Sequence, residues 1–234
     1  MHDESNLEHE KKRLLRSALL ALLGVGLLWL VKLAEMALGH SAAELGIYPR
    51  TVKGLPGILL APLIHGDRMH LYSNSIPLFV LVTGLFYYYH NMARAVLVFV
   101  YLIGNAGVWL FARPSFHIGA SGIIYGLVTF IFFSGVFRKE RPAIALSLIV
   151  TFLYGSMIWG VLPIQPGVSW EAHLSGAVCG LLAAVYFRWK YPPRKHAELD
   201  DWEYMYAAGY NEDGDFVFDE DDDYRDDPER GIYR

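Results

Sequence analysis

Apolar residues along this chain gather in long runs rather than alternating. Six stretches, 14–38, 70–89, 93–112, 118–137, 143–162 and 170–189, approach the length needed to cross about 30 Å of hydrocarbon. A chain inside lipid must satisfy its own backbone hydrogen bonds, and runs of this length do so as helices. The pattern predicts an all-α polytopic membrane protein with six spans. Between the first two spans lies segment 38–69, too long and too apolar for an ordinary loop. Its Ile47, Leu55, Ile58, Leu59, Leu60, Leu63 and Ile64 are expected to rest in the outer leaflet. Pro49, Gly54, Pro56, Gly57 and Pro62 argue against a long regular helix there. An interfacial or partly embedded loop is the expectation.

Composition agrees with a membrane location: 54% of residues are hydrophobic and only 19% are charged. The net charge of −4 conceals three blocks. Residues 1–10 hold four acids and no Lys or Arg, residues 11–195 hold 17 basic and 5 acidic residues, and residues 196–234 hold 3 basic and 15 acidic. With the N-terminus inside, 12 Lys and Arg flank the cytoplasmic ends of the spans and four (Arg50, Lys53, Arg68, Arg113) lie outside. That bias sets the orientation and puts both termini in the cytoplasm. The first apolar run is too long for a signal-peptide core, so it reads as a retained helix. The compact form and the lack of a transit peptide favour a prokaryotic inner membrane. The expected organisation is a cytoplasmic segment over 1–13, a membrane domain over 14–190 and an acidic cytoplasmic tail over 191–234. Like-charge blocks such as Asp219 to Asp223 are solvated and largely disordered. The aromatics between them leave room for a motif that docks an unknown partner. Cys179 is the single cysteine, which excludes an intrachain disulfide and a cysteine metal site. No cofactor, metal or nucleic acid is expected.

The candidate chemistry lies in spans 2, 4 and 6, which run in the same direction. Ser121 precedes Arg138 by 17 residues, His173 precedes Arg188 by 15 and Asn74 precedes His90 by 16. At 1.5 Å per residue these separations are about 25, 22 and 24 Å, so the three share one layer in the outer half of the membrane. His70 stacks one turn above Asn74. Polar groups at such depth face the protein interior, so Ser121, His173, His70 and Asn74 can converge. Gly122 with Gly126, and Gly176 with Gly180, each form a GxxxG that lets helix backbones approach closely. A serine hydroxyl needs an adjacent base, and neutral imidazole supplies one. Glu171 lies about 200° around the helix from His173 and points elsewhere, so a Ser–His dyad is expected. Lys32 and Glu35, near the outer end of span 1, can form an i,i+3 pair or snorkel to the interface.

Three motifs in order on these helices resemble the rhomboid family of intramembrane serine proteases. Gly119-Ala120-Ser121-Gly122 with Gly126 is similar to its GxSGxxxG/A motif. Ala172-His173-x-x-Gly176-x-x-x-Gly180 is similar to AHxxGxxxG, and His65-x-x-x-x-His70-x-x-x-Asn74 to HxxxxHxxxN. The resemblance covers roughly residues 14–190. It implies a six-transmembrane-helix rhomboid-like bundle and a serine endopeptidase acting in or near the transmembrane segments of membrane-protein substrates. It further implies Ser121 as nucleophile, His173 as general base, and His70, Asn74 and the Ser121 N–H as oxyanion donors. Tyr125 would stack on the catalytic histidine, and His65 would be structural or at the pocket edge.

Two rival readings stand beside this one. His65, His70, His117 and His173 could bind a metal or haem, although His65 and His70 are 140° apart on a helix and no HExxH is present. A noncatalytic rhomboid-like protein could bind or retain transmembrane clients, but loss of Ser121 or His173 would be its usual mark.

Overall fold

The computed structural model describes residues 2–139, 141–153, 157–164 and 167–190. The acidic tail over 191–234, with its candidate docking motif, lies outside them. Regular structure among the described residues is helical, apart from one isolated bridge that pairs Ile47 with His117. The helices are α1 (His2–Leu38), α2 (Gly57–Leu60), α3 (Arg68–Tyr88), α4 (Ala93–Phe111), α5 (Ser121–Arg138), α6 (Arg141–Leu153), α7 (Met157–Gly160) and α8 (Trp170–Lys190).

Among the described residues, five helices are long and apolar enough to cross a membrane: α1, α3, α4, α5 and α8. Within the fifth predicted span, 143–162, residues 143–153 and 157–160 are helical. They belong to α6 and α7, and residues 154–156 between them lie outside the described residues. Span 4 begins later than hydropathy indicates. Ile118 to Ala120 stay outside the helix, and Ser121 is the first residue of α5 with Ala120 as its N-cap. At the other end of the sequence, α1 starts at His2 and absorbs residues read as a separate leading segment.

Lipid tails are as apolar as leucine, so helices in a bilayer associate through packing and polar contacts. α1 lies against α3, where Ala21 and Leu28 are buried and the Trp29 indole donates to Ser75 Oγ at 3.0 Å. α5 packs against α8 along the predicted glycine stripes. A Cβ on Gly176 would overlap the Gly122 carbonyl oxygen, and one on Gly180 would overlap that of Gly126. Leu71, Leu81, Leu85, Val96, Leu127, Phe130 and Ile131 fill the interior. Leu19, Leu22, Leu23, Leu30 and Phe111 face outward, as side chains bathed in lipid do.

The 38–69 segment contains only short helical turns, as its prolines and glycines require. It docks on α4. Asn105 Nδ2 donates to the Ile58 carbonyl at 3.1 Å, Trp109 Nε1 to Thr51 at 2.9 Å, and Arg50 to Ala112 at 2.8 Å. Two residues expected in the leaflet turn inward instead. Ile47 is buried beneath its bridge to His117, and Ile64 is buried just ahead of α3, whereas Leu55 and Leu59 remain exposed. The physical reason is that the segment folds back on itself: a Cβ on Gly57 would collide with the backbone of Gly46 and Ile47.

Candidate active site

The N-terminal ends of α3, α5 and α8 surround a cleft of about 650 Å³ whose walls include His70, Asn74, Ser121, Tyr125 and His173. Spacing along the spans placed His70, Asn74, Ser121 and His173 at one depth, and in the structure they line one cavity together with Tyr125. Ser121 Oγ lies 2.8 Å from His173 Nε2. The other ring nitrogen, Nδ1, lies 2.9 Å from the Gly160 carbonyl oxygen. A carbonyl can only accept, so Nδ1 carries the proton and donates. Nε2 is thereby left with its lone pair directed at the serine hydroxyl. Gly160 closes α7, and the last carbonyls of a helix have no partner within it. The C-terminal end of α7 thus provides the acceptor that fixes the tautomer of His173.

Tyr125 stacks on the His173 ring, with centroids 4.2 Å apart and planes 12° from parallel. The tyrosine and the carbonyl together hold an imidazole that is 8% exposed. Glu171 turns away, as its helical position predicted. Its carboxylate pairs with Arg113 at 3.2 Å.

The backbone around Ser121 explains its helix-start position. Gly119 has φ +107°, a conformation that side chains rarely adopt, and a Cβ there would come within 2.9 Å of His70 Nε2. Its N–H donates to the Ala61 carbonyl at 2.9 Å. Ser121 and Gly122 occupy the first turn of α5, where N–H groups lack helical acceptors and the helix dipole favours negative charge. Asn74 is 6% exposed, and its amide nitrogen donates back to the His70 carbonyl at 3.1 Å. An amide nitrogen carries two hydrogens, so one bond within the helix leaves the second for another acceptor. The His70 ring packs against that of His65, with centroids 5.0 Å apart.

Three features of this region were not read from the sequence: the Gly160 carbonyl and two histidine contacts. His65, 2% exposed, accepts the Ala120 N–H on Nε2 at 3.3 Å, immediately beside Ser121. His117 contacts Ser169 Oγ through Nδ1 at 2.5 Å and donates from Nε2 to the Arg113 carbonyl at 3.0 Å, which links α5's approach to the start of α8. The histidine motif signalled His65 as structural, whereas nothing in the sequence signalled the other two contacts.

His65 gives this region a pH dependence. Burial pushes its imidazole down from 6.5 to about 4, and the neighbouring His70 adds to the effect. Between those values the unfolded chain binds a proton that the folded one refuses, so acidification favours unfolding. Thermal stability in detergent is expected to lose this contribution as pH falls from about 6.5 toward 4, because burial disfavours the charged imidazole. In His65→Gln the same titration is expected to show a shallower decline. An unchanged slope in a folded variant would remove His65 as the source.

A family model described as the Rhomboid domain matches residues 54–190. An uncharacterized protein of Mycobacterium tuberculosis is 38% identical over 171 residues, spanning 68% of this chain and 70% of its own length. One from Mycobacterium leprae is 35% identical over 171 residues, spanning 68% and 67%. A Bacillus subtilis protein named "Putative rhomboid protease YdcA" is 30% identical over 131 residues, spanning 53% of this chain and 63% of its own. No solved structure gives a significant match.

Proposed function

This chain belongs to the rhomboid family, and from that premise we propose that it is an intramembrane serine endopeptidase working through a Ser121–His173 dyad. The observation that carries the reading is the 2.8 Å contact between Ser121 Oγ and a His173 ring whose other nitrogen is bound to the Gly160 carbonyl. His173 Nε2 takes the hydroxyl proton as Ser121 Oγ attacks the scissile carbonyl. The oxygen that gains charge is received by donors from the Ser121 N–H at the start of α5, His70 and Asn74. As the tetrahedral intermediate collapses, imidazolium passes its proton to the departing amine. Water then enters the cleft, is deprotonated by the same nitrogen and releases the acyl group from Ser121.

The substrate is a transmembrane protein. A spanning helix satisfies its own backbone groups, so it must unwind locally before a carbonyl can reach Ser121. With both termini in the cytoplasm, the cleft faces the outer side. Cleavage then falls near the outer end of a substrate helix, where small or helix-breaking residues ease unwinding.

The test is cleavage of a reconstituted single-span substrate by the purified protein, together with labelling by a fluorophosphonate probe. Product and labelling that both depend on Ser121 support the reading; a folded protein that neither cleaves nor labels overturns it. Asn74→Ala probes the oxyanion arm. Its kcat is expected to fall about 10²- to 10³-fold, the usual loss for one oxyanion donor, with KM little changed. A wild-type kcat would remove Asn74 from that role.

A further inference from the structure

α1 carries two charged side chains that the proposed chemistry does not use. Lys32 and Glu35 form an ion pair at 3.1 Å and are 12% and 8% exposed. Removing two charges from water is costly, and such a pair is weak evidence for stability by itself. Its other contacts show what the arrangement achieves. Lys32 Nζ also donates to the His65 carbonyl at 2.8 Å and the Gly66 carbonyl at 3.1 Å. All three ammonium hydrogens therefore have acceptors. The second oxygen of Glu35 accepts the Ala42 N–H at 2.6 Å. One residue pair thus holds both ends of the 38–69 segment to α1.

The carbonyls held by Lys32 stand just ahead of the Asp67 N-cap of α3, the helix that presents His70 and Asn74. His65 belongs to both sides of the arrangement. Its carbonyl is bound by Lys32, while its ring accepts the Ala120 N–H beside Ser121 and packs against His70. A shift of the His65 backbone therefore moves the ring that supports the nucleophile turn and the start of the oxyanion helix together.

We infer that Lys32, braced by Glu35, is a positioning residue that clasps the His65–Gly66 backbone and thereby aligns the oxyanion arm with Ser121. This inference rests on the protease reading. The clasp touches neither substrate nor Ser121, so it acts on the chemical step rather than on substrate binding.

The experiment compares three full-length proteins in detergent: wild type, Glu35→Gln, and Lys32→Met/Glu35→Gln. The double variant removes the donors without stranding a buried carboxylate. Glu35→Gln keeps Lys32 and both loop carbonyls. In the double variant kcat is expected to fall about 10- to 100-fold with KM within about twofold, the scale of a sub-ångström to 1 Å misplacement. Glu35→Gln is expected to retain most of kcat. Amide hydrogen exchange, which needs no activity, is expected to quicken at residues 65–71 and 119–122 in the double variant alone. The inference is overturned by a wild-type kcat in the double variant, by a loss confined to KM, by an equal loss in Glu35→Gln, or by unchanged exchange at 119–122. If wild type does not cleave at all, the protease reading fails, and the exchange measurement still decides whether the clasp holds the turn.

Discussion

Ser121→Ala is expected to yield a folded membrane protein with no measurable endopeptidase activity and no fluorophosphonate labelling. The alanine keeps the backbone of α5 and its N–H groups but has no oxygen to attack with. Where nucleophile and base act as a unit, loss of the nucleophile removes nearly the whole covalent pathway, with kcat down by at least about 10⁴-fold. Stability should change little. Ser121 is only partly buried and is not the N-cap, and the lost hydrogen bond to His173 contributes about 1 kcal/mol. A matched pair of assays, substrate cleavage and thermal unfolding in the same detergent, separates these outcomes. Cleavage by the alanine variant at a rate near wild type would defeat the dyad and return attention to the noncatalytic reading.

Gly176→Ala is expected to lower both stability and activity through a single added methyl group. The new Cβ would overlap the Gly122 carbonyl oxygen and lie 3.2 Å from Gly122 Cα. Both are backbone atoms of α5 and cannot rotate aside, so the helices must separate. Overpacking of this kind costs about 1–3 kcal/mol, which should appear as a lower Tm. Activity should fall further than stability suggests, because α8 carries His173 three residues earlier. A displacement near 1 Å can cost about 10²-fold in rate. Gly24→Ala is the control, since a Cβ there meets nothing within 4 Å. Equal Tm and kcat for the two variants would contradict the close approach of α5 and α8.

The sequence carried much of this because topology and helical spacing are one-dimensional quantities. Counting residues from the span ends was enough to place Ser121, His173 and Asn74 in one layer, and the GxxxG spacings pointed to the α5–α8 contact. Other features have no residue-level signature. Hydropathy counts Ile118 and Ala120 as span and does not register that Gly119, at φ +107°, delays the helix to Ser121. A backbone carbonyl has no letter in the sequence, so Gly160 could not be distinguished from its neighbours in an apolar run. Lys32 and Glu35 were legible as an i,i+3 pair, but the carbonyls of His65 and Gly66 lie more than 30 positions away. Ile47 and Ile64 were assigned to lipid because apolar character does not say which apolar medium receives it.

The bond from His173 Nδ1 to Gly160 has a consequence for control and for inheritance. A side-chain carboxylate in that position could be deleted by one substitution; a main-chain oxygen cannot, although a Cβ on Gly160 would overlap the Tyr125 hydroxyl and lie 3.0 Å from His173 Nδ1. What the bond does not survive is displacement of the end of α7 that carries that oxygen. On the proposed reading, readiness for catalysis and the placement of that helix end are one variable. Any motion that carries α7 away frees the imidazole to exchange tautomers, so the enzyme would switch off mechanically while every reacting side chain remained intact.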